Sequence, residues 1–526
     1  MIAQLKRGMR AGFDRVEAAL DRAFGPAANP LHRLGALGFF YYWIVAATGV
    51  YLYIGFDTSV ERAYASVEEL TRSPWYLSGV MRSLHRYASD ALVAVMLVHA
   101  AREFALDRMR GTRWFSWLTG GPVLVLVYAS GITGYWMVWD RLAQYIAIST
   151  SEWLDWLPIF GEPIARNFLA PGSLSDRFFT LLIFLHIALP LALLFVLWIH
   201  LQRINRPKIN PPRALAGGSL AAFLALSLWK PALSQGPADL TAVPNEIGLD
   251  WFYLALYPLL ELWPQGTTWA LVAAGGALFA ALPWLPPLRR SSAAVVDLDH
   301  CNGCGRCVAD CPYTAVALVA RSDDKPFERQ AAVNAGICVS CGICVGACPS
   351  STPFRRAGEL VTGIDLPQYA LDVLRATTEA TAIRLRGADR VIVFGCEHGA
   401  ARAMPETGNV GIVHLPCVAM LPSSFIDFVV SRRLADGVFV AGCREESCMH
   451  RVGVAWMQAR IDGTRDPYLR KRVPRERLAT MWGAPFERRG LAQEIAAFAN
   501  RLRDIRPSPP VPGPEYTGAF EKEVAP

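Results

Sequence analysis

Apolar residues gather into six runs along the first 290 positions, near 34–55, 84–101, 117–139, 178–200, 214–232 and 268–288. Each approaches the ~20 residues that a helix needs to cross a hydrocarbon layer. The pattern predicts a bundle of about six transmembrane helices over 34–290. Residues 1–33 are polar, basic and amphipathic, with neither a short apolar core nor a small-residue cleavage site, so they are expected to remain as a cytoplasmic N-terminal segment. Beyond 290 the periodicity changes. A polar helical connector near 357–389 leads into short apolar strands at 391–394, 410–415 and 437–441 that alternate with helical stretches, the pattern of a small α/β domain.

Composition sharpens the division. With 53% apolar and 18% charged residues, the chain is neither disordered nor fibrous, and its net charge of +7 is too diffuse for a nucleic-acid partner. All twelve cysteines fall after residue 300. Lys and Arg are also unevenly placed between the runs. Sixteen, from Lys6 to Arg290, flank one side of the predicted spans, and seven, from Arg62 to Lys230, flank the other. Cationic loops stay in the cytoplasm, which puts the N-terminus and everything after 290 there. A multi-pass inner-membrane protein with its cysteines in a reducing compartment is expected, and disulfides are disfavoured.

Four histidines lie deep in two of the runs: His85 and His99 in the second, His186 and His200 in the fourth. Each pair is 14 residues apart, about 21 Å of helix and nearly four whole turns, so both members face one way near opposite membrane faces. Ionisable groups at such depth are costly and point to function. Two such helices supply two stacked bis-histidine sites, a fit for iron in a flat macrocycle. Gly35 and Gly49 in the first run, and Gly120 and Gly134 in the third, repeat the separation and leave room at the same heights. The alternative is histidines satisfied by backbone and glycines serving helix packing.

Residues 30–290 resemble the cytochrome b of quinol-oxidising respiratory and photosynthetic complexes. The stretches that carry the likeness are Arg82-Ser-Leu-His85, Gly134-Tyr-Trp-Met-Val-Trp-Asp140, and Arg177-Phe-Phe-Thr followed by His186 and His200. Leu249-Asp-Trp-Phe-Tyr253 falls where that family has Pro-Glu-Trp-Tyr at its outer quinol pocket. The resemblance implies that His85 and His186 ligate an outer haem b, that His99 and His200 ligate an inner one, and that Arg82 sits near a propionate. It makes Asp250 the candidate catalytic acid of a quinone pocket, one methylene shorter than the family's glutamate. A solvated loop acid is the alternative for Asp250. The family's Leu-Pro-Trp is Met137-Val138-Trp139 here.

Residues 301–312 and 338–349 each carry the C-x2-C-x2-C-x3-C-P spacing of the bacterial two-cluster ferredoxin. In that arrangement the fourth cysteine of each run ligates the other cluster. One 4Fe–4S cube then takes Cys301, Cys304, Cys307 and Cys348, and the second takes Cys338, Cys341, Cys344 and Cys311. Zinc is the alternative for a single Cys-x-x-Cys, and two full runs argue against it. A ferredoxin-like α+β domain over 297–356 follows.

Cys396, Cys417, Cys443 and Cys448 stand at or just beyond the carboxyl ends of the three predicted strands, where parallel α/β folds place their sites. Over 390–503 this arrangement resembles the delta subunit of methyl-viologen-reducing hydrogenase, which implies a 2Fe–2S cluster on the four cysteines and a heterodisulfide-reductase-like flavoprotein as partner. This chain has Cys448-Met-His450 where that family has His directly after its last cysteine, and a set of buried or zinc-binding thiols is the alternative. The residues after 506, rich in proline, are expected to be disordered.

Taken together, the chain is expected to be multidomain: an all-α transmembrane haem-binding bundle, a ferredoxin-like α+β domain and a small α/β domain. With no G-x-G-x-x-G or Walker loop in sight, two-electron chemistry is expected on a cytoplasmic flavin-containing partner chain. The function that follows is a quinone-linked oxidoreductase subunit joining the quinone pool, through two b haems, to that partner. The short linker from Arg289 to Val296 is expected to keep the ferredoxin module near the bilayer. A non-catalytic membrane anchor and relay with no quinone site is the alternative, and a homodimer is compatible with the sequence.

Overall fold

The computed structural model describes residues 2–505 apart from 73–76, 160–161, 165–168, 170–172, 203, 205–206, 245, 286–291, 355–359 and 388. The proline-rich tail from 506 lies outside the described residues. The chain divides into two compact units, Met1–Arg289 and Arg290–Pro526.

The first unit is helical: α1 (Ile2–Phe24), α2 (Leu34–Gly55), α3 (Ala63–Arg72), α4 (Leu77–Ala105), α5 (Trp114–Val138), α6 (Arg141–Asp155), α7 (Asp176–Leu201), α8 (Arg213–Trp229), α9 (Tyr257–Leu262) and α10 (Gln265–Ala281). Among the described residues, four helices are long and apolar enough to cross a membrane: α2, α5, α7 and α10 with the turn that extends it to Trp284. Two further apolar runs of the sequence are also helical. α4 runs to 29 residues but carries Arg82, Arg86 and Asp90 in its first half, and α8 has 17 residues. The short helices α3, α6 and α9 interrupt the connections between runs, where the hydropathy pattern held no signal for them.

Helices α2 and α4 pack antiparallel, as do α5 and α7. The amphipathic helix α1 is tied down by charge. Its Glu17 meets His32 Nδ1 at 3.2 Å and Arg102 of α4 at 3.2 Å, with all three side chains buried. At the far end of α5, Trp139 turns the chain with a left-handed φ of 50°, and Asp140 caps α6 by accepting from the Ala143 N–H at 2.9 Å. The other oxygen of Asp140 accepts from the Gln235 N–H, which pins the 230s segment to this corner.

The second unit has two small antiparallel ladders, β1 (Val295–Val296) with β4 (Ile364–Asp365), and β2 (Val316–Ala320) with β3 (Arg329–Val333). Two short helices, α11 (Arg306–Asp310) and α12 (Ile343–Ala347), lie within the two cysteine motifs and carry Cys307 and Cys344. After α13 (Leu371–Arg384) comes a four-stranded parallel sheet of β5 (Val391–Cys396), β6 (Val410–Leu415), β7 (Gly437–Gly442) and β8 (Leu478–Trp482), in the order β6-β5-β7-β8. Its register sets Val391 opposite both Val410 and Gly437. Helices α14 (Ser423–Ser431), α15 (Gly453–Asp462) and α16 (Arg488–Asp504) complete the unit. β5 and β7 are buried at every position, which is why they read as unbroken apolar runs rather than alternating ones. One apolar core runs from Val316 and Val345 of the ferredoxin-type part through Phe394 and Val440 of the sheet and Leu421 of the loop after β6.

Candidate functional site

In the membrane unit the four histidines fall at two levels between the helix pairs. The rings of His85 on α4 and His186 on α7 face each other with centroids 6.4 Å apart. Subtracting two metal–imidazole bonds of about 2 Å leaves about 1.2 Å per ring, the radius of an imidazole, so a metal ion fits between them. His99, set against Gly35, and His200, set against Gly120, form the second level.

Each glycine lies against one histidine. A Cβ at Gly49 would stand 3.1 Å from His85 Cε1, and one at Gly134 would stand 3.0 Å from His186 Cε1. At Gly120 and Gly35 the distances to His200 and His99 Cε1 are 3.6 and 4.0 Å. The glycines therefore make room for the edge of the imidazole, a closer role than the macrocycle clearance expected from spacing alone.

The residue before three of these glycines fixes the tautomer. Thr48 Oγ1 donates to Ile44 O at 2.7 Å and lies 3.1 Å from His85 Nδ1, which also lies 3.0 Å from Val45 O. Thr133 and His186 repeat the pair at 3.0 Å, and Thr119 and His200 at 3.1 Å, each threonine donating to its own helix. A hydroxyl whose proton is committed, beside a backbone carbonyl, can only accept, so this pattern assigns the proton to Nδ1 and leaves Nε2 for a metal. Such an outer hydrogen bond is what orients a metal-bound imidazole. The donor set, spacing and tautomer fit haem iron. Thr48, Thr119 and Thr133 were missed in the sequence, although Thr-Gly recurs there at the haem spacing.

Near the His85 level, Asp250 is wrapped in hydrogen bonds. Its Oδ1 accepts from the Phe252 and Tyr253 N–H groups at 2.9 and 3.0 Å, and its Oδ2 accepts from Tyr135 Oη at 3.1 Å and from Arg86. Burial raises this carboxyl, but the two N–H donors and the Arg86 charge outweigh it and hold Asp250 below the usual carboxylate range. Arg86 also binds Asp90 at 2.6 Å and lies over the Tyr135 ring. Tyr253 reaches so close to Gly131 that any side chain there would collide with its hydroxyl. Arg86, Asp90 and Tyr135 join Asp250 only through folding, from segments far apart in the chain, whereas Tyr253 lies three residues along the same stretch. Arg82 is held by Ser234 Oγ at 2.8 Å, by Thr71 and by Glu68 at 3.5 Å.

In the second unit the ferredoxin-type cysteines surround two hollows. Cys311, Cys338, Cys341 and Cys344 line one, and Cys301, Cys304, Cys307 and Cys348 line the other. Each short helix is entered through a left-handed glycine, Gly305 at φ 74° and Gly342 at φ 71°, which lets three thiols converge. Burial, reinforced by the neighbouring thiols, pushes Cys307 and Cys341 up to about 12. Coordination to iron requires thiolates, so loading either hollow releases protons.

The third set also converges. Cys443 lies within hydrogen-bonding reach of Cys396 and Cys448, and the thiols of Cys417 and Cys448 flank Gly453. All four are buried. Gly453 is required here, because a Cβ would stand 2.4 Å from Cys417 Sγ. Four clustered thiols suit an iron–sulfur centre or zinc. Of the histidines near cysteines, His450 is buried and meets Tyr313 Oη at 2.8 Å, His300 pairs with Asp297 at 2.9 Å, His398 packs against His450, and His414 is exposed.

Comparison with known proteins matches residues 20–207 to the cytochrome b/b6/petB family, residues 300–352 to the 4Fe–4S dicluster domain, and residues 401–506 to the delta subunit of methyl-viologen-reducing hydrogenase. Cys396 lies just before the last match. The chain is 24% identical over 282 residues to the cytochrome b of Rhodospirillum rubrum, covering 48% of this chain and 68% of that protein. A chain of a hyperthermophilic respiratory complex III matches 48% of this chain and 75% of its own length, with a TM-score of 0.41 and 18% identity.

Proposed function

We propose that this chain, which joins a cytochrome b/b6 domain to a 4Fe–4S dicluster domain and a hydrogenase delta-subunit-like domain, carries electrons between quinone in the bilayer and a cytoplasmic flavoprotein of the heterodisulfide-reductase type. It is a multi-pass membrane protein with a redox role, and the quinone, the orientation and the partner are the proposal. The observation that carries the reading is the co-occurrence, in one chain, of two paired-histidine levels and three convergent four-cysteine sets.

Haem iron and iron–sulfur clusters, when bound, supply one-electron chemistry, which a lipid-soluble two-electron carrier and a flavin can both meet. His85, His186, His99 and His200 hold two b haems in this reading, with Thr48, Thr119 and Thr133 fixing their tautomers. Cys301, Cys304, Cys307 and Cys348 hold one cubane, Cys338, Cys341, Cys344 and Cys311 hold the other, and Cys396, Cys417, Cys443 and Cys448 hold a 2Fe–2S cluster. Asp250, with Arg86 and Tyr135, lines the outer quinone pocket and accepts a proton from the quinol hydroxyl. The Lys/Arg bias supports cytoplasmic iron–sulfur domains.

The anchor-and-relay reading has one observation in its favour: the Asp250 carboxylate is already engaged by four donors, which makes it a weak base. Purified protein, oxidised and then mixed anaerobically with a reduced quinol analogue, separates the two. Haem reduction supports the quinone-linked function, and haem that stays oxidised supports the anchor. The same preparation should hold two b haems and about ten cluster irons per chain.

A further inference from the structure

We propose that the second cysteine set of the dicluster part, Cys338, Cys341, Cys344 and Cys311, is the one that exchanges electrons with the four-cysteine centre of the parallel-sheet domain, and that Arg460 is the residue positioning the two. This rests on the reading above that both sets hold iron–sulfur clusters. It adds the order of the sites and a residue that no cysteine motif points to.

The second hollow contributes contacts that run directly to the four-cysteine centre, whereas Arg306 of the first motif reaches Asp466, away from those cysteines. Cys341 and Cys417 belong to one apolar cluster with Ile343, Ala419 and Trp456. Tyr313 lines the second hollow two residues after Cys311, and its hydroxyl meets His450 Nδ1 at 2.8 Å, two residues after Cys448. The first hollow is walled instead by Leu318 of β2, Ala331 of β3 and Ile364 of β4, all elements of the dicluster part itself.

The approach is close because glycine leaves nothing in between. A Cβ at Gly342, next to Cys341, would stand 2.6 Å from Met420 Cγ, and one at Gly346 would stand 2.1 Å from Ala419 O. The backbone of the second motif therefore lies directly on the loop that follows Cys417. Electron tunnelling decays steeply with distance, so the close approach of the second motif to this loop favours transfer at this contact.

Arg460 of α15 bolts the contact. Its side chain is fully buried, one terminal nitrogen donating to Ala419 O at 2.7 Å and the other to Asp310 Oδ2 at 2.5 Å. Ala419 follows Cys417 by two residues, and Asp310 directly precedes Cys311. Arg465 supports the same carboxylate through its Nε at 3.0 Å and stacks on Trp456. A buried ion pair is a weak source of stability but a strong source of register, because its geometry tolerates no sliding. The step it serves moves one electron and no proton. The second cubane is oxidised by one electron as the four-cysteine centre is reduced by one, or the reverse, with no bond made or broken.

The test uses the full chain, reduced stepwise and followed by electron paramagnetic resonance. In the wild type, the signal of the four-cysteine centre should relax faster, or split, once the second cubane becomes paramagnetic. Cys338→Ser should abolish that effect, while Cys304→Ser, at an exposed ligand of the first hollow, should leave it. Arg460→Met should reduce the relaxation enhancement severalfold while iron content and the signals themselves persist, and Arg460→Lys should restore most of it. An enhancement that vanishes with Cys304→Ser and survives Cys338→Ser overturns the order of sites. An Arg460→Met protein indistinguishable from wild type overturns the role of Arg460. A fully reduced wild type with no third signal overturns the cluster reading on which the proposal stands, and the proposal with it.

Discussion

Gly134 of α5 lies against His186 of α7 so closely that a Cβ on the glycine would stand 3.0 Å from the imidazole Cε1. The same relation at Gly49 and His85 is 3.1 Å, whereas at Gly120 and His200 it is 3.6 Å, an ordinary contact. Alanine at these positions should therefore not be equivalent. Gly134→Ala and Gly49→Ala must shift a ligand ring by a few tenths of an ångström. They should alter or deplete only the haem held by His85 and His186, seen as a fall from two haems per chain toward one. Gly120→Ala and Gly35→Ala should keep both, and the helix itself gains about 0.5–1 kcal/mol when glycine becomes alanine.

The threonines before the glycines make a second, independent prediction. Thr133→Val keeps the shape of the side chain but removes the oxygen that receives the Nδ1 proton of His186. Loss of such an outer hydrogen bond costs about 10–100-fold in metal affinity. It also makes the imidazole a poorer donor to oxidised iron, so the potential of that haem should rise. Redox titration of Thr133→Val against Thr119→Val checks this, because each should move a different haem.

Asp250→Asn removes the carboxylate that Arg86, Tyr135 and two backbone N–H groups share. If that carboxylate takes the quinol proton, the rate of quinol-driven haem reduction should fall by about 100-fold or more. Haem content should be unchanged, since the hydrogen bonds of Asp250 go to Arg86, Tyr135, Phe252 and Tyr253 and to none of the four paired histidines. An unchanged rate in Asp250→Asn removes the residue from the reaction.

A prediction about stability concerns the second unit alone. Asp427 of α14 is wholly buried and takes hydrogen bonds from Arg472 at 2.7 Å, Arg470 at 3.1 Å and Ser431 at 2.6 Å. Burial raises its carboxyl, but these partners prevail and hold it below the usual range. A depressed folded pKa means that the contact stabilises fully above the unfolded value of about 3.9 and loses that effect as pH falls through the folded one. Asp427→Asn should cost about 1–3 kcal/mol at pH 7, toward the lower end because both arginines are half exposed. The difference from wild type, read by denaturant unfolding, should shrink below pH 4.

What could be read from the chain beforehand followed the range of the interactions involved. The paired histidines and the ferredoxin-type cysteines announce themselves because such sites demand fixed spacing on one helix or one loop, so His85 with His99, or Cys301 to Cys311, carry their geometry locally. Strands β5 and β7 were legible for the same reason, as continuous apolar runs. β8 was not, because Leu478–Trp482 is half exposed and joins the sheet only beside β7. The environment of Asp250 was equally hidden. Arg86 and Tyr135 meet it across 164 and 115 positions of chain, and no local pattern links them. Arg460 and Asp310, 150 residues apart, are the extreme case.

The central claim is a continuous electron route between lipid-side quinone and the cytoplasmic iron–sulfur centres by way of the His99–His200 level. The most direct test is to pre-reduce all centres, mix anaerobically with a quinone analogue, and follow haem and iron–sulfur absorbance separately in wild type and in His99→Leu. The account predicts that both classes of centre reoxidise together in the wild type, and that the iron–sulfur centres of His99→Leu stay reduced while the remaining haem reoxidises. Iron–sulfur centres that reoxidise equally fast in His99→Leu would contradict it.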